Sequence, residues 1–364
     1  MKIRVFVVND TVVYRKILSD VLNTFQNVEL IGTAPSGRIA LQKIAQTPVD
    51  LVMLDVAMPE MDGVETLRQI KEQFPDTAAV MVSGASDRQA ETTIQALELG
   101  ALDFIQKPGS ADYAENIRIL ANRIRPTLRL VETRKFTRNA RNGEMPKPEK
   151  TESKPVTPPQ PATGRKYSSP APLDLVVIGV STGGPNALAT VIPGIPGNLG
   201  VPIMLVQHMP ALFTASLAAH LSKISAVKVV EAHAGQPLMP GTVFIAPGGR
   251  HMLLQNANGN GLKAGINDAP PVNSCRPSVD VLFQSVADTF TGGVLAIMLT
   301  GMGKDGAAGV SALKRVGGYC LAQNEETCVV YGMPRTVIER GLADEILPLE
   351  NIAPRIAELV KKRI

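Results

Sequence analysis

The chain has 364 residues, 45% of them hydrophobic, which is too long for one ordinary domain and apolar enough to bury two cores. Its formal net charge of +4 does not mark a nucleic-acid binder: nine Lys/Arg against three Asp/Glu lie between Arg134 and Pro172 among eight prolines, a composition that argues against a folded basic face. No run approaches the roughly 18–20 apolar residues of a membrane span, and MKIRVFVVND turns polar too early for a signal peptide, so a cytoplasmic protein without membrane insertion is expected.

The first part alternates short apolar runs with amphipathic ones: RVFVVND, YRKILSDVLNTF, VELIGTA, GRIALQKIAQ, DLVMLD, GVETLRQIKEQ, AAVMVS, AETTIQALELG, LDFIQKP and ENIRILANRI. Continuous Val/Ile/Leu/Met runs suit strands buried on both faces, and the periodicity near 3.6 between them suits covering helices. Five strand–helix units of a doubly wound parallel sheet follow. The last helix is expected to end by about Glu132, and Arg134–Pro172 reads as a mobile, partly extended Pro/Lys-rich linker. After it, LDLVVIGV, VPIMLVQH, VKVVEA, TVFIAP and GGVLAIMLTG predict a second, mostly parallel α/β sheet. The stretch Gly241–Ile266 reads as a hairpin, giving that sheet an antiparallel edge. Cys275, Cys320 and Cys328 are spaced like neither a zinc site nor a disulfide framework and are read as free thiols.

Chemistry in a doubly wound sheet gathers at the carboxyl ends of the strands. In the first sheet those positions hold Asn9, Asp10, Asp55, Ser83 and Lys107. Carboxylates can hold Mg²⁺, a hydroxyl and an ammonium can receive phosphoryl oxygens, and Asp55 could attack phosphorus. Any one of these alone would pass for a strand-end polar residue or a helix cap. VVND, LDVAMPEMDG, MVSGAS and DFIQKP, over about 125 residues, resemble the receiver domain of two-component response regulators. The resemblance implies that Asp55 is phosphorylated, with Asp10, Asp55 and the Ala57 backbone carbonyl as Mg²⁺ ligands. It makes Ser83 and Phe104 the switch residues, Lys107 the phosphate-pairing lysine, and Pro108 the residue after a cis bond. Asn9 stands where that family commonly has a second acid, so a weaker hold on Mg²⁺ is expected.

In the second sheet Gly179-Val-Ser181-Thr-Gly183 lies at a strand-to-helix turn, the setting of a nucleophile elbow. The same glycines could form a phosphate nest, and the pattern alone leaves both readings open. His208 ends the next apolar run and Asp305 follows GGVLAIMLTG, so all three fall on one edge, as a Ser-His-Asp triad would. Their chain order is not that of α/β-hydrolases. Arg250 and His251 are weaker candidates for the substrate's surroundings, His233 reads as structural or solvated, and Cys275 has no histidine beside it in sequence.

IGVSTGGP, LVQHMP, IAPGGRHM and LTGMGKDGAAG, from about Leu173 to the C-terminus, resemble the catalytic domain of the chemotaxis protein-glutamate methylesterase. The resemblance implies a receiver at 1–125, a helix extension and linker at 126–172, and a catalytic domain at 173–364. It implies hydrolysis of glutamyl methyl esters on methyl-accepting chemoreceptors with release of methanol, and deamidation of receptor glutamines. A chemotaxis histidine kinase would be the phosphodonor, and the esterase site would need no cofactor. Ser181, His208 and Asp305 fall on the triad positions, and the backbone N–H groups near Thr182 and Met302 are candidates for the oxyanion hole. The non-catalytic alternative is a receiver fused to a phosphate-cradling scaffold.

Overall fold

The computed structural model describes residues 2–141, 172–256 and 261–361; most of the expected linker lies outside them. The first unit runs β1 (Ile3–Val8), α1 (Val12–Asn23), β2 (Val28–Ala34), α2 (Gly37–Ile44), β3 (Leu51–Asp55), α3 (Gly63–Gln73), β4 (Ala78–Ser83), α4 (Asp87–Glu98), β5 (Asp103–Gln106) and α5 (Tyr113–Arg141). Its sheet has the order β2-β1-β3-β4-β5, and every pair is parallel. Every residue of β3 and β4 is buried, as their unbroken apolar runs require. Chain order reverses between β1 and β3, which opens a crevice at their carboxyl ends where Asn9, Asp10 and Asp55 meet.

Helix α5 continues well past Glu132, to Arg141, and passes through Pro126. A proline removes one helical N–H and crowds the preceding turn. Tertiary contacts outweigh that cost: Leu128, Leu130 and Val131 are buried in the receiver core, and Lys135 Nζ lies 2.6 Å from Asp50 Oδ2. The Lys107–Pro108 bond is trans, contrary to expectation; the cis bond among the described residues is Arg276–Pro277. The two isomers of an X–Pro bond differ intrinsically by only ~0.5–1 kcal/mol. Flanking the bond, Lys107 N–H donates to Ser83 O (2.7 Å) and Tyr14 Oη donates to Pro108 O (3.2 Å).

The second unit runs β6 (Leu173–Val180), α6 (Gly184–Val191), β7 (Ile203–Gln207), α7 (Phe213–Ile224), β8 (Lys228–Glu231), β9 (Gln236–Pro237), β10 (Thr242–Ile245), β11 (His251–Asn256) and β12 (Leu262–Asn267). It continues with α8 (Val279–Thr289), β13 (Gly293–Met298), α9 (Ala307–Arg315), β14 (Tyr319–Gln323), α10 (Met333–Glu339), β15 (Glu345–Leu347) and α11 (Leu349–Lys361). Seven strands form a parallel sheet ordered β15-β14-β13-β6-β7-β10-β8. The hairpin β11–β12 forms, but it joins β9 in a separate three-stranded antiparallel sheet rather than an edge of the large one.

The two units share an apolar seam. Helix α4 packs on α6 and α7, and its Ala90, Ile94 and Leu97 belong to one buried cluster with Leu188 of α6 and Leu217 and Leu221 of α7. At its edge His220 Nε2 lies 2.6 Å from Glu98 Oε1.

Candidate functional site

In the receiver crevice Asp55 is 1% exposed, and Lys107 Nζ reaches both its oxygens, at 2.9 Å and 2.7 Å. Asn9 Nδ2 donates to Asp55 Oδ2 at 2.5 Å, while its Oδ1 accepts from Thr11 N–H at 2.9 Å. Burial pushes the Asp55 carboxyl above the usual carboxylate range and the Asp10 charge adds to this, against the pull of Lys107 and the Ala57 N–H. The mutual repulsion of Asp10 and Asp55 is what a hard divalent cation would relieve, and the two carboxylates are oxygen donors of the kind Mg²⁺ takes, so the residues fit such an ion. Asn9 adds no charge to that set. Ser83 Oγ is buried on the neighbouring strand, one position beyond the partner of Asp55, and accepts from Thr93 Oγ1 at 2.9 Å. Phe104 faces away from this crevice: its ring stacks on Phe213 of the second unit.

In the large sheet β13, β6 and β7 are adjacent, and Asp305, Ser181 and His208 follow their carboxyl ends. Hydrogen bonds carry the ladder past the strand ends: Leu299 N–H to Gly179 O (3.0 Å), Ser181 N–H to Thr300 O (3.0 Å) and His208 N–H to Val180 O (3.2 Å). Three loops are thus held to one register. Gly183 turns the chain into α6 at φ +76°, a left-handed conformation that favours glycine. Gly301 lets its loop approach the serine, since a Cβ there would lie 2.8 Å from Ser181 Cβ. Ser181, Thr182 and Met302 are half-buried around that approach, and among the described residues the N–H groups of Thr182 and Met302 have no acceptor.

His208 Nε2 lies 2.8 Å from Asp305 Oδ2. The other carboxylate oxygen accepts from Ser278 Oγ and Asn273 Nδ2, each at 2.8 Å, and Val279 N–H donates to Oδ2 at 2.7 Å. Burial opposes the charge of Asp305, but His208 and these donors outweigh it and hold its pKa well below the usual carboxylate range. Burial likewise opposes a charged imidazole; the Asp305 carboxylate and Cys275 overcome it and raise His208 to about 9. The ring's second nitrogen, Nδ1, faces Cys275 Sγ at 3.6 Å. Ser181 makes no side-chain hydrogen bond among the described residues, so the serine lies on the same edge without being joined to His208. A carboxylate holding one imidazole nitrogen, with a half-buried serine and unengaged N–H groups nearby, is equipped for general-base-assisted acyl transfer.

Residues 176–356 match the CheB methylesterase family and residues 5–117 the response regulator receiver domain. A protein-glutamate methylesterase/protein-glutamine glutaminase of Desulfotalea psychrophila is 44% identical over 99% of this chain and 99% of its own. The chain belongs to the CheB methylesterase family. Another member similar to it, from Symbiobacterium thermophilum, is 40% identical over 98% of this chain and 97% of its own. The crystal structure of the Thermotoga maritima CheB methylesterase catalytic domain superimposes with a TM-score of 0.50 at 44% identity, covering 52% of this chain and 99% of that one.

Sequence reasoning missed three residues around the His208–Asp305 pair, Asn273, Ser278 and Asp280, and weighed Cys275 without giving it a role. All four come from one loop and the helix after it, and Asn273 Nδ2 also bridges to Asp280 Oδ2 at 2.8 Å. The polar run PPVNSCRPSVD was the available signal, but its partner His208 is 67 positions away. His251 is buried: Nδ1 accepts from Ser278 N–H at 3.2 Å and Nε2 bonds Pro270 O at 3.1 Å, so it props the loop instead of facing substrate. Arg250 pairs with Asp268, and among the described residues His233 bonds only its own turn.

Proposed function

We propose that the chain is a phosphorylation-controlled serine hydrolase that cleaves glutamate methyl esters on methyl-accepting chemoreceptors in chemotaxis adaptation and deamidates receptor glutamines. A receiver ending with α5 would gate a catalytic unit beginning at Leu173. The observation that carries the reading is the His208–Asp305 pair beside Ser181 at the ends of three adjacent strands.

Ser181 Oγ attacks the ester carbonyl carbon as His208, through the nitrogen that Asp305 does not hold, takes its proton. The N–H groups of Thr182 and Met302 receive the oxyanion. The tetrahedral adduct collapses, the C–O bond breaks, and the proton from His208 leaves with methoxide as methanol. Water, deprotonated by the same ring, then cleaves the acyl-enzyme to free glutamate side chain and Ser181. Asp305 steadies the imidazolium at each stage.

In the receiver, Asp55 accepts a phosphoryl group from a chemotaxis histidine kinase in the cytoplasm. Mg²⁺, held by Asp10, Asp55 and the Ala57 carbonyl, would neutralise charge on the transferring group. Lys107 and Ser83 would then bond phosphate oxygens instead of the bare carboxylate. That gives phosphorylated and unphosphorylated receivers different contacts with the α4 seam, which is the differential free energy a population shift needs.

The test is methanol release from methylated receptor membranes, with and without a small-molecule phosphodonor. Ser181→Ala should lower it by on the order of 10⁴-fold, and Asp55→Ala should abolish only the stimulation. Undiminished release by the first variant removes the nucleophile; undiminished stimulation in the second removes the gate.

A further inference from the structure

We propose that the catalytic edge also forms a site for a thiophilic divalent cation of the zinc class, ligated by Cys275 Sγ and His208 Nδ1 with Asp305 as supporting carboxylate, and that its occupancy switches the hydrolase off. The switch rests on His208 being the catalytic base; the metal site does not.

The geometry is that of a ligand pair. Zinc–thiolate and zinc–imidazole bonds of about 2.3 and 2.0–2.1 Å at a tetrahedral angle put sulfur and nitrogen about 3.6 Å apart. Cys275 Sγ and His208 Nδ1 are 3.6 Å apart. One ligand atom from each of His208, Cys275 and Asp305 lies within 4.8 Å of the others. Asp305 Oδ2 at 2.8 Å from Nε2 favours the tautomer with the proton on Nε2, leaving the Nδ1 lone pair towards the thiol. This is the carboxylate–histidine–metal relay that orients imidazole ligands and raises their basicity.

The thiol is placed by a built loop. Asn273 and Ser274 are consecutive non-glycine residues at φ +51° and +63°, a conformation that costs backbone energy and persists only where the surroundings enforce it. Val272 and Cys275 exchange backbone hydrogen bonds, Cys275 N–H to Val272 O at 2.8 Å and Val272 N–H to Cys275 O at 3.1 Å. Asn273 Nδ2 anchors the same turn to both Asp280 and Asp305. Those two carboxylates make the surroundings favourable to a dication. Cys275 is part-buried and the His208 side chain keeps 12% of its surface exposed, so an ion can reach the pair from the solvent side and complete its shell with water.

Binding exchanges protons for the metal: the Cys275 S–H proton and, wherever the ring is protonated, the Nδ1 proton go to solvent, the thiolate and the freed Nδ1 lone pair form the two bonds, and no electron changes hands. The lone pair so used is the one that must receive the Ser181 proton, hence inhibition.

Cobalt(II) titration of the full chain tests the site without reference to activity. The expected result is a thiolate-to-cobalt charge-transfer band that is present in the wild type and in Ser181→Ala and absent from Cys275→Ala. Zinc titration of methanol release, with each protein normalised to its own chelator-treated rate, tests the switch. Zinc should suppress the wild type at least tenfold, and Cys275→Ala should need on the order of 10²-fold more zinc. A charge-transfer band that survives Cys275→Ala, or no band at all, overturns the site. A Cys275-dependent band without zinc inhibition overturns the switch. If Ser181→Ala hydrolyses normally yet shows the band, the hydrolase reading fails and the metal site stands.

Discussion

The ring of Phe104 in the receiver lies on the ring of Phe213, with centroids 4.4 Å apart and planes at 24°. Phe213 opens α7, five residues after His208, so the receiver touches the segment that carries the proposed base. An aromatic pair is worth ~0.5–1.5 kcal/mol beyond its buried area, or roughly 2–13-fold in an equilibrium. Phe213→Leu, which keeps most of the buried apolar volume and removes the ring pair, should therefore raise methanol release without phosphodonor about that much and leave the fully phosphorylated rate closer to wild type. Basal release equal to the wild type would mean that this contact does not hold the closed arrangement.

Asn273 Nδ2 donates to Asp305 Oδ1 at 2.8 Å, so it would act on the proposed reaction through that carboxylate. A hydrogen bond to a charged group contributes ~1.5–3 kcal/mol, so Asn273→Ala should lower kcat on the order of ten- to a hundredfold. KM should stay nearly constant, because the amide bonds the carboxylate and not the ester. A rise in KM at constant kcat would place Asn273 at the substrate instead.

His208 must be neutral to accept a proton, and its pKa is raised to about 9. The kcat/KM of the unphosphorylated protein should accordingly climb with pH through the range from 7 towards about 9. Burial pulls this pKa down, while Asp305 and Cys275 push it up. Removing the thiol removes one of the upward contributions. In chelator, Cys275→Ala should move the acid limb to lower pH; a limb that stays in place would show that the thiol does not stabilise the imidazolium.

Asn9→Asp would add a carboxylate beside Asp10 and Asp55. An extra charge near a dication, discounted for the cost of burying it at the position of Asn9, is worth on the order of 1.4 kcal/mol, about tenfold in affinity. Calorimetric titration should show Mg²⁺ binding tightened by about that factor. Unchanged affinity would mean that position 9 lies outside the reach of the cation.

Much of this architecture is legible in the sequence because its signals are local. Unbroken apolar runs such as LVMLD and AAVMVS have to be buried on both faces, and the structure buries every residue of both. A polar residue that ends such a run falls on the carboxyl edge of a parallel sheet, which is why Asp55, Ser181 and His208 could be placed before any fold was seen. Strand β14 was not singled out, although YCLAQ is wholly buried, because a five-residue run after a glycine pair carries little periodicity of its own.

Other features depended on contacts between distant residues. Whether α5 survives Pro126 depends on Leu128, Leu130 and Val131 meeting the receiver core. Cys275 was set aside because no histidine adjoins it in sequence; folding brings His208 to 3.6 Å. The receiver could be recognised from its motifs, but nothing in them says which face meets the second unit. That is decided by complementary apolar surfaces, α4 against α6 and α7 and Phe104 against Phe213, and complementarity belongs to no single segment of the chain. The sequence alone determines which side chains stand at the sheet edges, because strand polarity is a local property. Only the tertiary structure decides which of them touch, since contact energy depends on distances that the order of residues does not carry.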